Sequence, residues 1–137
     1  MLEQSQIESI AEELVQADRD RAVLPRLTAR YPGMEVEDSY AIQKVWSDRR
    51  IENGARLVGH KIGLTSKVMQ VATGITEPDY GVIHDDMVVE SGSVLEFDRF
   101  SNVRIEVELA FVLSKPLSGP NTTIFDVLDA TAYVVPA

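Results

Sequence analysis

The run Asn102-Val103-Arg104-Ile105-Glu106-Val107-Glu108-Leu109-Ala110-Phe111-Val112-Leu113 constrains this chain more than any other stretch. Its β-branched and aromatic content predicts a strand over residues 103–113, and a strand alternates its side chains between two faces. Val103, Ile105, Val107 and Leu109 then share one face, while Arg104, Glu106 and Glu108 share the other, with the two glutamates about 7 Å apart. The apolar flanks predict a partly desolvated space in front of them, where two like charges raise each other's pKa unless a cation intervenes. A hard divalent cation such as Mg²⁺ or Mn²⁺, which prefers carboxylate oxygens, answers that need. The spacing fits a solvated outer face of an antiparallel sheet equally well, with Arg104 and the glutamates meeting charges on neighbouring strands.

The 137 residues, 45% of them hydrophobic, are enough for one domain with a real core. The 22 acidic against 13 basic residues give a net charge of -9, which argues against nucleic acid or an anionic membrane as partner. With no cysteine there is no disulfide, thiolate nucleophile or cysteine-ligated zinc. No signal sequence or membrane-length apolar run is evident, so a cytoplasmic location is expected. The ending Thr131-Ala132-Tyr133-Val134-Val135-Pro136-Ala137 reads as a strand cut off while still buried, and so as the front part of a longer protein.

Ser5 and Glu8 fit a capping box ahead of Ile7, Ile10, Ala11 and Leu14, which repeat at helical spacing. A second helix is predicted over residues 36–53, with Glu35, Glu37 and Asp38 at its start and Gly54 as its stop. From Arg56 the pattern turns to strands. One is predicted over residues 57–64, then a short helix capped by Thr65 or Ser66, running through Met69 and ended by Gly74. After a turn at Glu77-Pro78-Asp79-Tyr80-Gly81 come strand candidates at 82–83, 87–90, 94–97 and 103–113, with Ser91-Gly92 as a hairpin turn. Thr123 and Asp126 start a last helix to about Ala130, leading into the final strand. Helices first and strands after predict an α+β architecture, with a helical region over residues 1–55 and a mainly β region over 56–137.

Lys61 lies in Gly59-His60-Lys61-Ile62-Gly63-Leu64-Thr65-Ser66 with a glycine two residues away on either side, which leaves room for a ligand. Desolvation there would let the lysine act as acid, base or carboxylate anchor; in open solvent it is an ordinary surface lysine. Asp79, after a proline, suits a tight turn on conformational grounds alone. His60 alternates away from Lys61 and reads as packed, whereas His84 beside Asp85-Asp86 reads as an exposed turn. No phosphate loop, histidine pair at metal spacing or G-x-S-x-G serine is present.

Together, Gly59 to Lys67 with Met69-Gln70, Glu77 to Gly81, Asp85-Asp86-Met87 and Arg104 to Leu113 resemble the 2-oxopent-4-enoate hydratase and 4-oxalocrotonate decarboxylase family of the fumarylacetoacetate hydrolase superfamily. The resemblance covers nearly the whole chain. The stretches His60 to Lys67 and Lys115 to Asn121 look most like the branch acting on 2-oxohept-4-ene-1,7-dioate in homoprotocatechuate breakdown. It implies a helical N-terminal region packed on the start of a fumarylacetoacetate-hydrolase-type β-roll. It also implies Mg²⁺ or Mn²⁺ held by Glu106 and Glu108 with a third glutamate, whose expected place falls beyond Ala137. Lys61 and Asp79 match positions that face a small 2-oxo acid substrate and serve in proton transfer or hydrogen bonding. The implied activity is a metal-dependent hydratase, a lyase that adds water, assembled as a homo-oligomer. The sister decarboxylase and a catalytically silent fragment acting only by association are the rivals.

Overall fold

A computed structural model describes residues 1–137. The chain divides into two compact units, Met1–Asn102 and Val103–Ala137. The change from helix-rich to strand-rich sequence at residues 55–56 falls inside the first.

The first unit begins with α1 (Gln4–Asp20), the short α2 (Leu27–Arg30) and α3 (Val36–Glu52). The helical spacing of Ile7, Ile10 and Ala11 builds one buried stripe on α1, and Ile42 of α3 packs into it. Leu2, Leu14, Leu27, Tyr31, Met34, Val45 and Trp46 close around this core. Burying a side chain the size of Ile10, 1% exposed, contributes about 1.5–3 kcal/mol.

The helix starts differ in detail from the sequence prediction. Glu3, not Ser5, caps α1, and the Glu3 N–H donates to Gln6 Oε1 at 2.9 Å, so Ser5 lies inside the first turn. For α3 the box pairs Glu35 with Asp38, whose carboxylate accepts the Glu35 N–H and the Leu2 N–H, both at 2.9 Å. One buried side chain thus satisfies donors from the starts of two helices. These two N–H groups, Glu35's first, hold the Asp38 carboxyl below its ordinary range. Gly54 ends α3 as expected: its φ is +102°, and the Ala55 N–H returns to the Arg50 carbonyl at 3.0 Å.

β1 (Leu57–Gly63) and β2 (Asp79–His84) pair antiparallel, joined by a connection that holds α4 (Lys67–Thr73). Ser66 stands at the N-cap position of α4 without a side-chain cap bond, and Gly74, at φ +73°, stops it; the helix runs four residues past Met69. Tyr40 of α3 stacks on Tyr80 at 4.6 Å, and Ser47 of α3 lies 3.0 Å from His84 Nε2, so α3 lies along β2. At the far end Asp85 accepts the Arg56 N–H and Nε, both at 2.9 Å, while its own N–H returns to the Arg56 carbonyl at 2.9 Å. This clamp, the Arg56 N–H first, lowers the Asp85 pKa. Arg50 bridges Asp18 on α1 and Asp86, tying α1, α3 and the turn after β2 together.

The strands predicted at 87–90 and 94–97 do not form. Short 3₁₀ turns, Asp85–Met87 and Phe97–Arg99, occupy that region, and although Ser91-Gly92 does turn, with Gly92 at φ +84°, no ladder flanks it. β propensity needs a partner strand to become a strand, and none lies alongside these residues.

The second unit holds β3 (Leu109–Leu113), α5 (Ile124–Ala130) and β4 (Thr131–Pro136), with β3 and β4 antiparallel. The Thr123–Asp126 box forms as predicted: the Thr123 N–H donates to Asp126 at 2.7 Å and the Asp126 N–H to Thr123 Oγ1 at 3.3 Å. The strand predicted over 103–113 is shorter. Its ladder starts at Glu108, which exchanges bonds of 2.9 and 3.0 Å with Ala137, and residues 103–107 lie outside it. No helix of the chain is long and apolar enough to cross a membrane.

Candidate active site

The register of β1 and β2 decides where the candidate residues stand. Lys61 pairs with Gly81 and Gly63 with Asp79, and residues directly opposite in an antiparallel pair share a face. Lys61 and Asp79 are therefore diagonal neighbours on one face, about 7–8 Å apart at Cα, within reach of a lysine. Asp79 is the first residue of β2, not part of a turn as its Pro78 neighbour suggested; pairing with Gly63 draws it into the sheet.

Three glycines make this face open. Gly59 and Gly63 flank Lys61 on its own strand, and Gly81 stands directly across. The Asp79 carboxylate lies over Gly63: a Cβ there would collide with it and stand 3.1 Å from its Cγ. Gly63 is thus glycine because Asp79 occupies its side-chain space. Gly81 was missed in the sequence because its partner in the register cannot be read without the pairing. A Cβ at Gly81 would stand 3.7 Å from Gln43 Oε1, so α3 borders the site along β2.

The opposite face carries His60, Ile62, Tyr80 and Val82. His60 is exposed, not packed, with the edge of Tyr80 at 6.3 Å. His84 reverses its expectation too. It is fully buried, with Ser47 at Nε2 and the edge of Trp46 at 5.4 Å, while its Nδ1 finds no hydrogen-bond partner. The polar Asp85-Asp86 that follows made it read as a surface turn; its own place at the end of β2 puts it against α3.

In the second unit Glu108 extends the β3 ladder by one residue and Glu106 precedes it. The expected desolvation is absent. Both glutamates are exposed, and the flanking Ile105 and Val107 are 90% and 93% exposed. Their donor chemistry, two hard carboxylates one residue apart, fits a hard divalent cation. They do not form a complete cage, since no group of three or more His, Cys, Asp or Glu side chains gathers to hold a metal.

No protein-family model matches the sequence. Individual relatives do. The chain is 53% identical over 128 residues to 2-oxo-hept-4-ene-1,7-dioate hydratase of Escherichia coli, covering 93% of this chain and 48% of that protein. It is 40% identical over 132 residues to 2-keto-4-pentenoate hydratase of Paraburkholderia xenovorans LB400, covering 96% and 49%. Among solved structures, 4-oxalocrotonate decarboxylase from Pseudomonas putida G7, complexed with magnesium and adipate, superposes with a TM-score of 0.93 at 31% identity, over 99% of this chain and 52% of that one. The chain belongs to the 2-oxopent-4-enoate hydratase and 4-oxalocrotonate decarboxylase family. Its mixture of helices and small antiparallel sheets matches the fold of that family's solved decarboxylase. It spans about half the length of the relatives it matches.

Proposed function

We propose that the protein is a metal-dependent hydro-lyase of aromatic-compound breakdown that adds water to a 2-hydroxy-dienoate, or its 2-oxo-enoate tautomer, giving a 4-hydroxy-2-oxo acid. The substrate favoured is 2-oxohept-4-ene-1,7-dioate, which would place the enzyme in homoprotocatechuate degradation. The 53% identity to a hydratase of that substrate carries the reading, and the glycine-cleared face holding Lys61 and Asp79 supports it.

In this reading Glu106 and Glu108 would hold Mg²⁺ or Mn²⁺ together with a further carboxylate. When bound, the cation supplies Lewis-acid stabilisation of negative charge developing on the substrate. Lys61 exchanges a proton with the substrate or binds its carboxylate, and Asp79 orients Lys61 or the attacking water. The glycines admit the substrate to the backbone. Residues 1–55 act as a helical support and residues 56–137 as the first part of a fumarylacetoacetate-hydrolase-type β-roll. The family resemblance supports a cytoplasmic homo-oligomer, and the apolar side chains exposed on the second unit support association.

Decarboxylation is the second reading, favoured by the likeness to the solved decarboxylase. Offering both substrates to the protein as its natural gene encodes it separates the two, by release of CO₂ or its absence. The metal assignment is tested by calorimetric titration with Mg²⁺: Glu106→Gln and Glu108→Gln are each expected to abolish binding and turnover while leaving the fold intact. Undiminished binding in both variants would remove these glutamates from the site.

A further inference from the structure

Lys67 opens α4, four residues beyond the end of β1. Its ammonium donates to Gln70 Oε1 at 2.9 Å, and Gln70 Nε2 donates to the Leu64 carbonyl at 2.7 Å. Gln70 is 5% exposed, so this amide is a fixed strut and not a chance surface contact. Leu64 has φ +53°, a left-handed conformation that is unfavourable for a side-chain-bearing residue and persists where the surroundings hold it. That turn immediately follows Gly63, the partner of Asp79. The strut therefore folds α4 back and keeps the Lys67 ammonium within one amide group of the backbone at the end of the strand pair that carries Asp79.

The chemistry of this contact is unlike that of several other cations of the first unit. Arg30, Lys44, Arg49, Arg50 and Arg56 all meet carboxylates. Lys67 is held by a neutral amide, which orients the charge without cancelling it. An ammonium has three donors, and Gln70 uses one. A carboxylate is the group that would satisfy the remaining donors and the charge together.

We propose that Lys67, positioned by Gln70, recognises the second carboxylate of a dicarboxylic 2-oxo acid, and so sets the preference of this site for diacids over monoacids. The inference rests on the 2-oxo acid reading above. There the carboxylate next to the oxo group is taken up by Lys61, which leaves the far end of the molecule to be read by another cation. A monoacid offers Lys67 nothing.

The test compares 2-oxoheptanedioate with 2-oxoheptanoate, which differ only in the terminal carboxylate, by calorimetric titration in the presence of Mg²⁺. It uses the protein as its natural gene encodes it. The unsubstituted protein is expected to bind the diacid about 10- to 100-fold more tightly, the scale of a hydrogen bond to a charged group. Lys67→Met is expected to bring the ratio to about one while leaving monoacid affinity unchanged, and Lys67→Arg to restore most of it. Gln70→Leu should lower the ratio through loss of aim. An unaltered ratio in Lys67→Met, or equal weakening toward both acids, overturns the inference while the 2-oxo acid reading stands. Failure of the unsubstituted protein to bind either acid overturns both.

Discussion

The two units of this chain are held together very differently. Met1–Asn102 has a buried helical core of Ile7, Ile10, Ala11 and Ile42, buried polar side chains that bridge elements, and ion pairs that join α1, α3 and the turn after β2. Val103–Ala137 buries one residue, Ala130, while Ile105, Val107, Leu109, Phe111, Phe125 and Leu128 are each more than half exposed. The unit that carries Lys61 and Asp79 has its own scaffold. The unit that carries Glu106 and Glu108 presents apolar faces that its own elements do not cover. Surface of that kind is characteristic of an interface, so the residues proposed to handle the proton stand on self-supporting structure, and the glutamates proposed to hold the metal stand beside apolar faces left uncovered.

Paired substitutions should expose this difference most strongly. Ile10→Ala leaves a cavity in a closed core and should cost about 2–5 kcal/mol in chemical denaturation. Phe111→Ala removes a larger side chain that is 56% exposed, and should change stability by roughly 0.5 kcal/mol or less. Hydrogen exchange should agree, with α1 and α3 protected and the β3–β4 amides opening readily. Equal costs at the two positions, with a cooperative melt and no binding of a hydrophobic dye, would show the second unit to be as well packed as the first.

The next effect separates chemistry from scaffold. Lys61→Ala should depress kcat/KM of the proposed reaction by roughly 100-fold or more, the usual scale for an acid or base, with no change in the melting of the first unit. Gly63→Ala should act on the same face more mildly. The added methyl meets the movable end of Asp79, not backbone, so the carboxylate swings aside and the rate falls while the fold survives. Normal rates in both variants would return Lys61 to the role of a surface lysine.

What could be read from the sequence divides along another line, between local and non-local structure. Both long helices and the Thr123–Asp126 box were legible, because helix periodicity and capping are local. The strands predicted at 87–90 and 94–97, and the first half of the one predicted over 103–113, were not realised, because a ladder depends on a partner that residue type does not announce. The site was half legible. Glycines beside Lys61 pointed to an open face, but the roles of Gly81, and of Gly63 as the seat of Asp79, depend on register. His84 was misread because its polar neighbours said turn while its position said core. Nor did the glutamates lie in the desolvated setting inferred from their apolar neighbours, since alternation shows which side chains share a face and not what covers it.

Acid should distinguish the units by a smaller effect. Asp38 joins the starts of α1 and α3, and its folded-state pKa lies below the value of about 3.9 expected in the unfolded chain. A lowered carboxylate pKa means that the folded state binds its proton less readily than the unfolded state. The stability it contributes is therefore complete above about pH 5 and is lost as pH falls past 3.9 and through the folded value. Asp85, lowered through Arg56, adds to the same loss in the first unit. In the second, Asp126 is lowered by the Thr123 hydroxyl first and then the Thr123 N–H, so its acid response is confined to the start of α5. Asp38→Asn should lower stability at pH 7 and flatten its decline between about pH 5 and 3. Asp126→Asn should leave the acid response of the α1 and α3 amides unchanged in hydrogen exchange. An acid profile for Asp38→Asn parallel to that of the unsubstituted protein would show that the junction of α1 and α3 does not depend on this charge.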